Sequence, residues 1–399
     1  MLHLIRRTRT TDRRVQIAIG IALVIIALGL PAMASGFTIQ LFALTFPLAI
    51  LALSADMMWG EGRLVSFGQG LFFAAGGYIG GLILIGQPYD VSGSALSFLS
   101  EDTEKPLFDQ ILAQLHDFAI AGIPIPALIL PAAVCGVVGL VVGMIVFRVA
   151  SPEVYFPLVT LGLGVVGGLW FNDLVTIGAS NGLGGIQPFT DQIGDPKDPI
   201  YGYMFNLFFV IVAFAGWAWF RRSRRGSTWR GTGDSAIRLE ALGYSVRRQR
   251  VFAFGVSAAL AGLAGALYAS TAGFMGPSLA GVAFSAEVLI WVAVGGSGRV
   301  LGPLIGTIVV RWGQQLLSSN FGLQESWQLF MGLALILVVV VAPGGLLGIS
   351  ANPIRRLMAS RHRNQNGPGS ASSLQVFKAQ IFGSRRRPPN SPQDGGSSP

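Results

Sequence analysis

Charged residues are scarce in this 399-residue chain. They make up 12% of the sequence, against 52% hydrophobic residues, whereas soluble domains carry about 25% charged residues. Because a soluble fold needs charged side chains to cover its surface, this composition excludes an ordinary soluble protein. The mean hydropathy of +0.59 and the 54 glycines instead predict an integral membrane protein whose helices pack closely.

Cysteine and histidine are almost absent. The single cysteine, Cys135, lies in an apolar run and has no partner for an internal disulfide. The three histidines, His3, His116 and His362, lie outside the apolar runs. A histidine-based catalytic centre in the membrane is therefore excluded, and a metal site would need more ligands than Cys135. We expect no catalytic residue, no metal and no cofactor on this chain.

Lysine occurs three times, and serine or threonine never follows it. The pairs are Lys105-Pro106, Lys197-Asp198 and Lys378-Ala379. The chain consequently lacks the GxxxxGK[ST] loop that binds nucleotide phosphates. Any ATP that drives this protein must bind to another chain.

Apolar runs of the roughly 20 residues that a helix needs to cross a bilayer recur along the chain. One region, residues 282–318, is interrupted by glycines and a proline, which predicts two shorter helices at about 284–296 and 302–318. With eight other runs this gives an all-α polytopic bundle of about ten crossings or partial crossings. The eight runs are Val15–Ala34, Phe37–Met58, Leu64–Ile85, Ile123–Phe147, Tyr155–Leu174, Tyr201–Phe220, Val251–Gly273 and Trp327–Ile349.

The charges between these runs predict the orientation. Loop 221–250 has nine arginines and only two acidic residues, and the N-terminal segment 1–14 is also basic, whereas segment 87–122 is acidic. Because basic loops remain in the cytoplasm, both termini and loop 221–250 are predicted to be cytoplasmic and segment 87–122 extracytoplasmic. Residues 15–350 then form a transmembrane domain in the inner (plasma) membrane.

The C-terminal tail, residues 351–399, lacks hydrophobic periodicity and is predicted to be disordered. Its basic stretch Arg355–Arg363 is suited to contact with anionic membrane lipid. The formal net charge of +9 follows from these basic cytoplasmic segments, so it does not indicate a nucleic-acid partner.

The stretch between the second and third runs, residues 56–70, contains four glycines and predicts a tight turn or a broken helix start. Irregular backbone at membrane depth is tolerated only where protein buries it or where it lines a cavity. Ser66 and Gln69 in this stretch offer neutral hydrogen-bonding groups, which suit a small polar substrate better than an ion. A simple cytoplasmic turn is an equally good interpretation.

Three ionisable residues fall in or near the apolar runs: Asp56, Glu287 and Arg311. Glu287 is predicted to open the short helix 284–296, where the helix N-terminus favours negative charge. Arg311 is placed to pair with Glu287 or Asp56. Since charges in a membrane are costly, each is either a gate or pathway residue or part of a structural ion pair, and both interpretations stay open.

Within the basic loop, residues 234–243 predict a short cytoplasmic helix. Asp234 is its expected N-cap and Gly243 its expected C′ residue, with Glu240, Ala241 and Leu242 between them. Such a helix can dock into a groove on another protein. An ordinary basic loop is the alternative.

Taken together, these motifs resemble the permease subunits of branched-chain amino-acid-type ABC importers over roughly residues 37–350. Trp59, the pair 69–70 and the segment 290–296 resemble the urea-type branch of that family. The segments that carry the resemblance are Trp59-Gly60, Leu64–Tyr78, 181–183, 241–244, Phe254–Tyr268, Glu287–Gly298 and Pro343–Gly348.

The resemblance implies a transport subunit, not an enzyme, that forms half of the translocation path for urea. It also implies a second related permease, two cytoplasmic ATPase subunits and an extracytoplasmic solute-binding protein. A branched-chain amino acid or a short amide is the alternative substrate, and a secondary transporter or channel is a more distant alternative. The candidate path residues are Ser66, Gln69, Asn181, Gly295 and Gly296, and the candidate ATPase-coupling residues are Asp234, Glu240, Ala241, Leu242 and Gly243.

Overall fold

The structure is a computed structural model that describes residues 20–85, 114–115, 119–120, 123–148, 152–174, 177–190 and 198–321, with residues 332, 345 and 346. All of these residues belong to one compact unit, residues 1–348, and residues 349–399 form a second unit. The predicted segments 1–14, Trp327–Ile349 and 351–399 lie outside the described residues, apart from the three isolated positions, and so does most of 87–122.

Almost all of the described chain is α-helical, which confirms the predicted all-α membrane bundle. Within the described residues, five helices are apolar and long enough to cross a membrane, and three apolar helices are shorter. The helices are α1 Gly20–Ala32, α2 Gly36–Asp56, α3 Gln69–Ile85, α4 Pro126–Val146, α5 Pro152–Asp173, α6 Pro199–Phe220, α7 Arg224–Asp234, α8 Ala236–Ala241, α9 Val246–Ala272, α10 Val282–Gly295 and α11 Gly302–Phe321.

Two helix starts differ from the sequence prediction by five residues each. Helix α3 begins at Gln69 and not at Leu64, because residues 64–68 are not helical. Helix α9 begins at Val246, earlier than the predicted Val251, because Ser245 caps it by accepting a hydrogen bond from the Arg248 backbone N–H at 3.4 Å. A serine N-cap starts a helix as soon as the backbone allows, even among arginines outside the apolar run.

The part of the chain that the structure describes contains four two-residue strands, which form two small antiparallel pairs. Strands β1 (Ala119–Ile120) and β2 (Ile123–Pro124) pair with each other. Strand β3 (Leu183–Gly184) pairs with β4 (Phe274–Met275), with Leu183 opposite Met275. The second pair ties the loop after α5 to the chain that leaves the end of α9.

Helix α9 lies at the centre of the bundle and packs against α2, α3 and α4. Glycines set these contacts: a β-carbon on Gly76 of α3 would overlap the Gly262 carbonyl of α9, and one on Gly265 would overlap the Phe73 carbonyl. Small residues let helix backbones approach closely in a membrane, where dispersion and not the hydrophobic effect holds helices together. The packing of α3 on α9 is therefore fixed by direct contact between their backbones.

Candidate functional site

The non-helical stretch before α3 is buried within protein. Helix α2 continues as a π-helical turn, Met57–Glu61, and the chain then runs irregularly to Gln69. Two backbone N–H groups, one in this stretch and one at the start of α3, donate to hydroxyls of other helices: Phe67 to Thr160 of α5 at 3.1 Å, and Gly70 to Ser285 of α10 at 3.0 Å. These hydroxyls satisfy groups that the missing helical turns leave unpaired. We call residues 64–68 the first break.

Ser66 and Gln69 lie at this first break, and both are buried. The Ser66 hydroxyl accepts a hydrogen bond from the Gly68 backbone N–H at 3.4 Å. The Gln69 amide is used at both ends: its oxygen accepts from the Ser54 hydroxyl at 3.2 Å, and its nitrogen donates to the Ser257 hydroxyl at 3.0 Å. Gln69 therefore joins α2, α3 and α9 and fixes the shape of the break.

A second break, residues 273–281, precedes α10. Helix α10 has 14 residues, or about 21 Å at 1.5 Å per residue, which is shorter than the roughly 30 Å hydrocarbon core. Glycines of α5 reach both breaks: a β-carbon on Gly164 would lie 3.1 Å from the Phe67 carbonyl oxygen, and one on Gly168 would lie 3.4 Å from the Gly281 Cα. The two breaks thus meet on the glycine face of α5.

The other predicted path residues lie elsewhere. Asn181 is exposed in the turn Ala179–Asn181, beside the β3–β4 pair. Gly295 and Gly296 lie at the turn between α10 and α11, where a β-carbon on Gly295 would overlap the Gly302 carbonyl. These glycines permit close packing of α10 on α11. The structure therefore brings Ser66 and Gln69 together, but it does not bring the five residues to one place.

The three intramembrane charges also occupy different surroundings. The Asp56 carboxylate is fully buried and accepts a hydrogen bond from the Gly298 backbone N–H at 2.7 Å. The prediction that Glu287 opens its helix is wrong, because Gly281 is the N-cap and α10 starts at Val282. Glycine suits an N-cap, so the helix begins before the first charged residue.

Arg311 lies within α11, and its guanidinium donates to the Gln314 side-chain oxygen at 2.6 Å. Arg311 and Glu287 both act electrostatically on the Tyr268 hydroxyl of α9. All three side chains are half-buried. Two residues of opposite charge, one on α10 and one on α11, therefore influence the same hydroxyl group of α9.

A buried ionic cluster that was not predicted from the sequence lies at the end of α2. Glu61 is 7% exposed; one carboxylate oxygen lies 2.5 Å from the Arg221 guanidinium and the other 3.8 Å from that of Arg230. The same Arg221 nitrogen donates to the Gly298 carbonyl at 3.0 Å. We call these residues and Asp56 the Glu61 cluster. A count of charges uses the arginines of loop 221–250 only to predict the orientation in the membrane. Asp56 and Glu61 flank the Trp59-Gly60 motif and are predicted to lie on the same side of the membrane as these arginines, and this was the available signal for the cluster.

Helices α7 and α8 form a hairpin that packs on this cluster. Trp229 of α7 is 1% exposed, and its indole N–H donates to the Met57 carbonyl at 3.2 Å. Its ring lies where a β-carbon on Gly62 would be, and a β-carbon on Gly233 would overlap the Glu61 carbonyl. The hairpin is therefore held directly against the π-helical turn of α2.

The predicted cap of the second hairpin helix is wrong by one residue. Asp234 ends α7, and Ser235 caps α8, with its hydroxyl facing the Arg238 backbone N–H at 3.5 Å. Ser235 has the extended backbone that an N-cap requires, so the neighbouring serine takes the role predicted for Asp234. Gly243 ends the hairpin with φ +83°, and the Tyr244 N–H donates back to the Leu239 carbonyl at 3.2 Å. This is the left-handed helix end expected of a C′ glycine.

Helix α8 buries only Leu239 and exposes most of its other residues. Leu239 is buried, whereas Ile237 is 82% exposed and Leu242 74%. The predicted coupling residues are all exposed: Asp234, Glu240, Ala241, Leu242 and Gly243. Ile237 and Leu242 are thus large apolar side chains that are exposed outside any membrane-length helix.

The family described as "Branched-chain amino acid transport system / permease component" matches residues 37–340. The chain belongs to this permease family. The high-affinity branched-chain amino acid transport system permease protein LivM of Escherichia coli is 28% identical over 82% of this chain and 74% of LivM. LivM of Salmonella typhimurium is 27% identical over 82% and 73%. The autoinducer 2 import system permease protein LsrC of Klebsiella pneumoniae is 28% identical over 59% of this chain and 67% of LsrC. No solved structure gives a significant match.

This permease is accordingly a multi-pass inner-membrane transport subunit and not an enzyme, and it belongs to ABC importers that work with ATPase and solute-binding subunits. Two of its features fit that role: the paired breaks in the bundle and the exposed hairpin. Sequence reasoning missed the hydroxyl residues that hold the first break, Ser54, Thr160, Ser257 and Ser285. Serine and threonine are common in membrane helices, so these positions had no distinguishing signal.

Proposed function

We propose that this permease forms half of the translocation path for urea in an ATP-driven importer. A second related permease supplies the other half, two ATPase subunits bind on the cytoplasmic side, and a solute-binding protein delivers the substrate from outside. The observation that carries the proposal is the meeting of the two breaks on α5, where non-helical backbone and hydroxyl groups replace continuous helix.

Urea suits these breaks because it is small, neutral and polar. Neither break, residues 64–68 or 273–281, contains a charged residue. Hydroxyl groups are present instead, on Ser66, Thr160 and Ser285. A neutral solute that loses its water needs hydrogen-bonding groups but no counter-ion. Because the Gln69 amide already has partners at both ends, we assign it to shaping the path.

A branched-chain amino acid is the second candidate substrate. The relatives named LivM are permeases of branched-chain amino acid systems. Glu287 and Arg311, which both act electrostatically on Tyr268, carry the charges that would suit an ammonium and a carboxylate group. The two candidates therefore place the substrate on different side chains, which makes them separable by experiment.

The test is competition for uptake in cells that carry the complete transporter. Excess unlabelled urea is expected to suppress uptake of labelled urea, and excess leucine is not. Arg311→Gln is expected to leave urea uptake within about twofold of the parent, since a neutral solute needs no guanidinium. If leucine competes and urea does not, or if Arg311→Gln abolishes uptake while the protein stays in the membrane, the amino acid is the substrate.

We also propose that α8 docks on an ATPase subunit and that the hairpin and both termini are cytoplasmic. The arginine excess of loop 221–250 supports the orientation. The exposed apolar side chains of Ile237 and Leu242 support the docking, because an apolar helix face that enters a groove contributes most of the binding energy in such contacts. ATPase binding to a Leu242→Asp variant tests the docking, and thiol labelling at position 227 tests the orientation.

A further inference from the structure

The Glu61 cluster joins three parts of the permease at one point. Glu61 belongs to the π-helical turn of α2, Arg221 caps the end of α6, and Gly298 lies in the turn between α10 and α11. Arg221 contacts the other two directly, at 2.5 Å and 3.0 Å. A single guanidinium therefore holds α2 and the α10–α11 turn together.

Gly298 is held on both of its backbone groups. Its N–H donates to the Asp56 carboxylate at 2.7 Å, and its carbonyl accepts from Arg221 at 3.0 Å. Its φ of +75° is a conformation that side chains disfavour, and its backbone lies so close to Gly60 that a β-carbon on Gly60 would overlap it. The α10–α11 turn thus has little freedom to move independently of the end of α2.

The hairpin touches the same point from the other side. Arg230 of α7 lies 3.8 Å from the Glu61 carboxylate and donates a hydrogen bond to the Arg221 carbonyl at 2.9 Å. The Trp229 indole N–H donates a hydrogen bond to the Met57 carbonyl. From Gly298 the rigid helix α10 leads back to the second break. A continuous series of contacts therefore runs from α7, through Glu61 and Arg221, to α10 and the break.

We propose that the buried Glu61–Arg221 pair transmits movement of the α7–α8 hairpin to α10, so that ATPase movement opens or closes the break. The proposal rests on the proposed docking of α8 on an ATPase subunit. It assigns to these residues a positioning role in transport, without contact to the substrate.

The permease contains a matched control pair. Arg63 and Asp234 also join the π-turn region to the hairpin, at 3.7 Å, but their side chains are 71% and 79% exposed. An exposed pair contributes little because water and salt screen it. Breaking a buried pair by removing one partner leaves an uncompensated charge, whereas neutralising both partners avoids that cost. The double variant Glu61→Gln/Arg221→Gln is therefore the informative change, and Arg63→Gln, which breaks the exposed pair without changing Asp234, is its control.

The experiment uses the complete transporter in proteoliposomes, with labelled urea and labelled leucine as solutes. It measures ATP hydrolysed per solute imported, together with the amount of ATPase subunit that copurifies. The Glu61/Arg221 double variant is expected to retain its ATPase subunits, while ATP hydrolysed per solute rises about tenfold, within the usual range of coupling between sites. The control is expected to match the parent. An unchanged ratio in the first variant, or an equal rise in the control, overturns the proposal.

Arg221→Lys tests the proposal if the double variant does not assemble with the ATPase subunits. Lysine keeps the positive charge beside Glu61, but its ammonium group lacks the planar guanidinium geometry that contacts Glu61 and Gly298 together. ATP hydrolysed per solute is then expected to rise a few-fold, and a parental ratio overturns the proposal. A wrong assignment of the docking helix is recognised separately, because Leu242→Asp would then leave ATPase copurification unchanged.

Discussion

The exposed side chain of Leu242 offers a direct test of the proposed docking on an ATPase subunit. Leu242→Asp removes an apolar side chain from the end of α8 and replaces it with a charge. Leu242 is 74% exposed, so the change should leave the free energy of unfolding of the isolated permease within about 0.5 kcal/mol of the parent value. The effect should therefore appear only in the assembled transporter.

The expected loss follows from the burial that docking would provide. Fully burying a leucine side chain contributes about 1.5–3 kcal/mol, and each 1.4 kcal/mol corresponds to about tenfold in affinity. If Leu242 becomes buried against the ATPase subunit, its loss should weaken binding roughly 10- to 150-fold. An unpaired carboxylate in the contact would weaken it further.

Gly243→Asp is a useful second variant, because it strains the backbone at the end of α8 but keeps the apolar side chain of Leu242. No heavy atom lies within 4 Å of a β-carbon built at Gly243, but its φ is +83°. A side chain there is disfavoured by roughly 1 kcal/mol through the backbone alone, so the end of α8 should loosen without a clash. We expect a smaller loss of ATPase binding than for Leu242→Asp.

The assay titrates purified ATPase subunits onto the permease complex in detergent and follows binding, with solute uptake measured in parallel. Leu239→Ala serves as the contrast, because Leu239 is the buried anchor of α8 and its loss should lower the stability of the hairpin itself. Unchanged binding and uptake in Leu242→Asp, with the protein present in the membrane, would show that α8 does not dock on the ATPase.

Two further predictions concern packing and topology. Gly262→Leu should destabilise the bundle by about 1–3 kcal/mol or more, because a β-carbon there would lie 2.7 Å from both the Cys135 sulfur and the Pro131 carbonyl oxygen. Gly162→Leu should be tolerated, because no heavy atom lies within 4 Å of a β-carbon built there. Thermal unfolding of the two variants in detergent tests this difference. Cysteine introduced at Ser227 should react with an impermeant thiol reagent only from the cytoplasmic side. Membrane-length helix α6 separates Ser227 from Ser180, so cysteine at Ser180 should react only from outside, and the reverse labelling would invert the proposed topology.

The helical bundle was predictable from the sequence because a bilayer requires long apolar helices. Every predicted run within the described residues corresponds to a helix, and the interruption near residue 296 separates α10 from α11 as expected. The helix ends were less predictable. Hydropathy marks the apolar part of a helix, whereas Ser235 and Ser245 begin helices in a basic loop through local hydrogen bonds that hydropathy does not register.

The candidate site was predictable only in part, because its contacts join residues that are far apart in the chain. Four closely spaced glycines were enough to indicate an irregular stretch near Ser66. The contacts of Gln69 with Ser257 and of Glu61 with Arg221 depend on how the helices pack. Arg221 looks in the sequence like one more basic residue, although it is largely buried while its neighbour Arg222 is exposed.

The kinds of contact in the bundle indicate which part should move during transport. Helices α3 and α9 meet at backbone level through Gly76 and Gly265, so any sliding between them would produce overlap, and we expect them to move as one body. The α10–α11 turn is attached to the end of α2 through the polar groups at Gly298, so we expect the turn to follow the end of α2 when the hairpin moves. Because α10 is too short to cross the bilayer alone, a shift at its Gly298 end would displace the second break. Access to the path should therefore change at α10, with the α3–α9 core as the fixed frame.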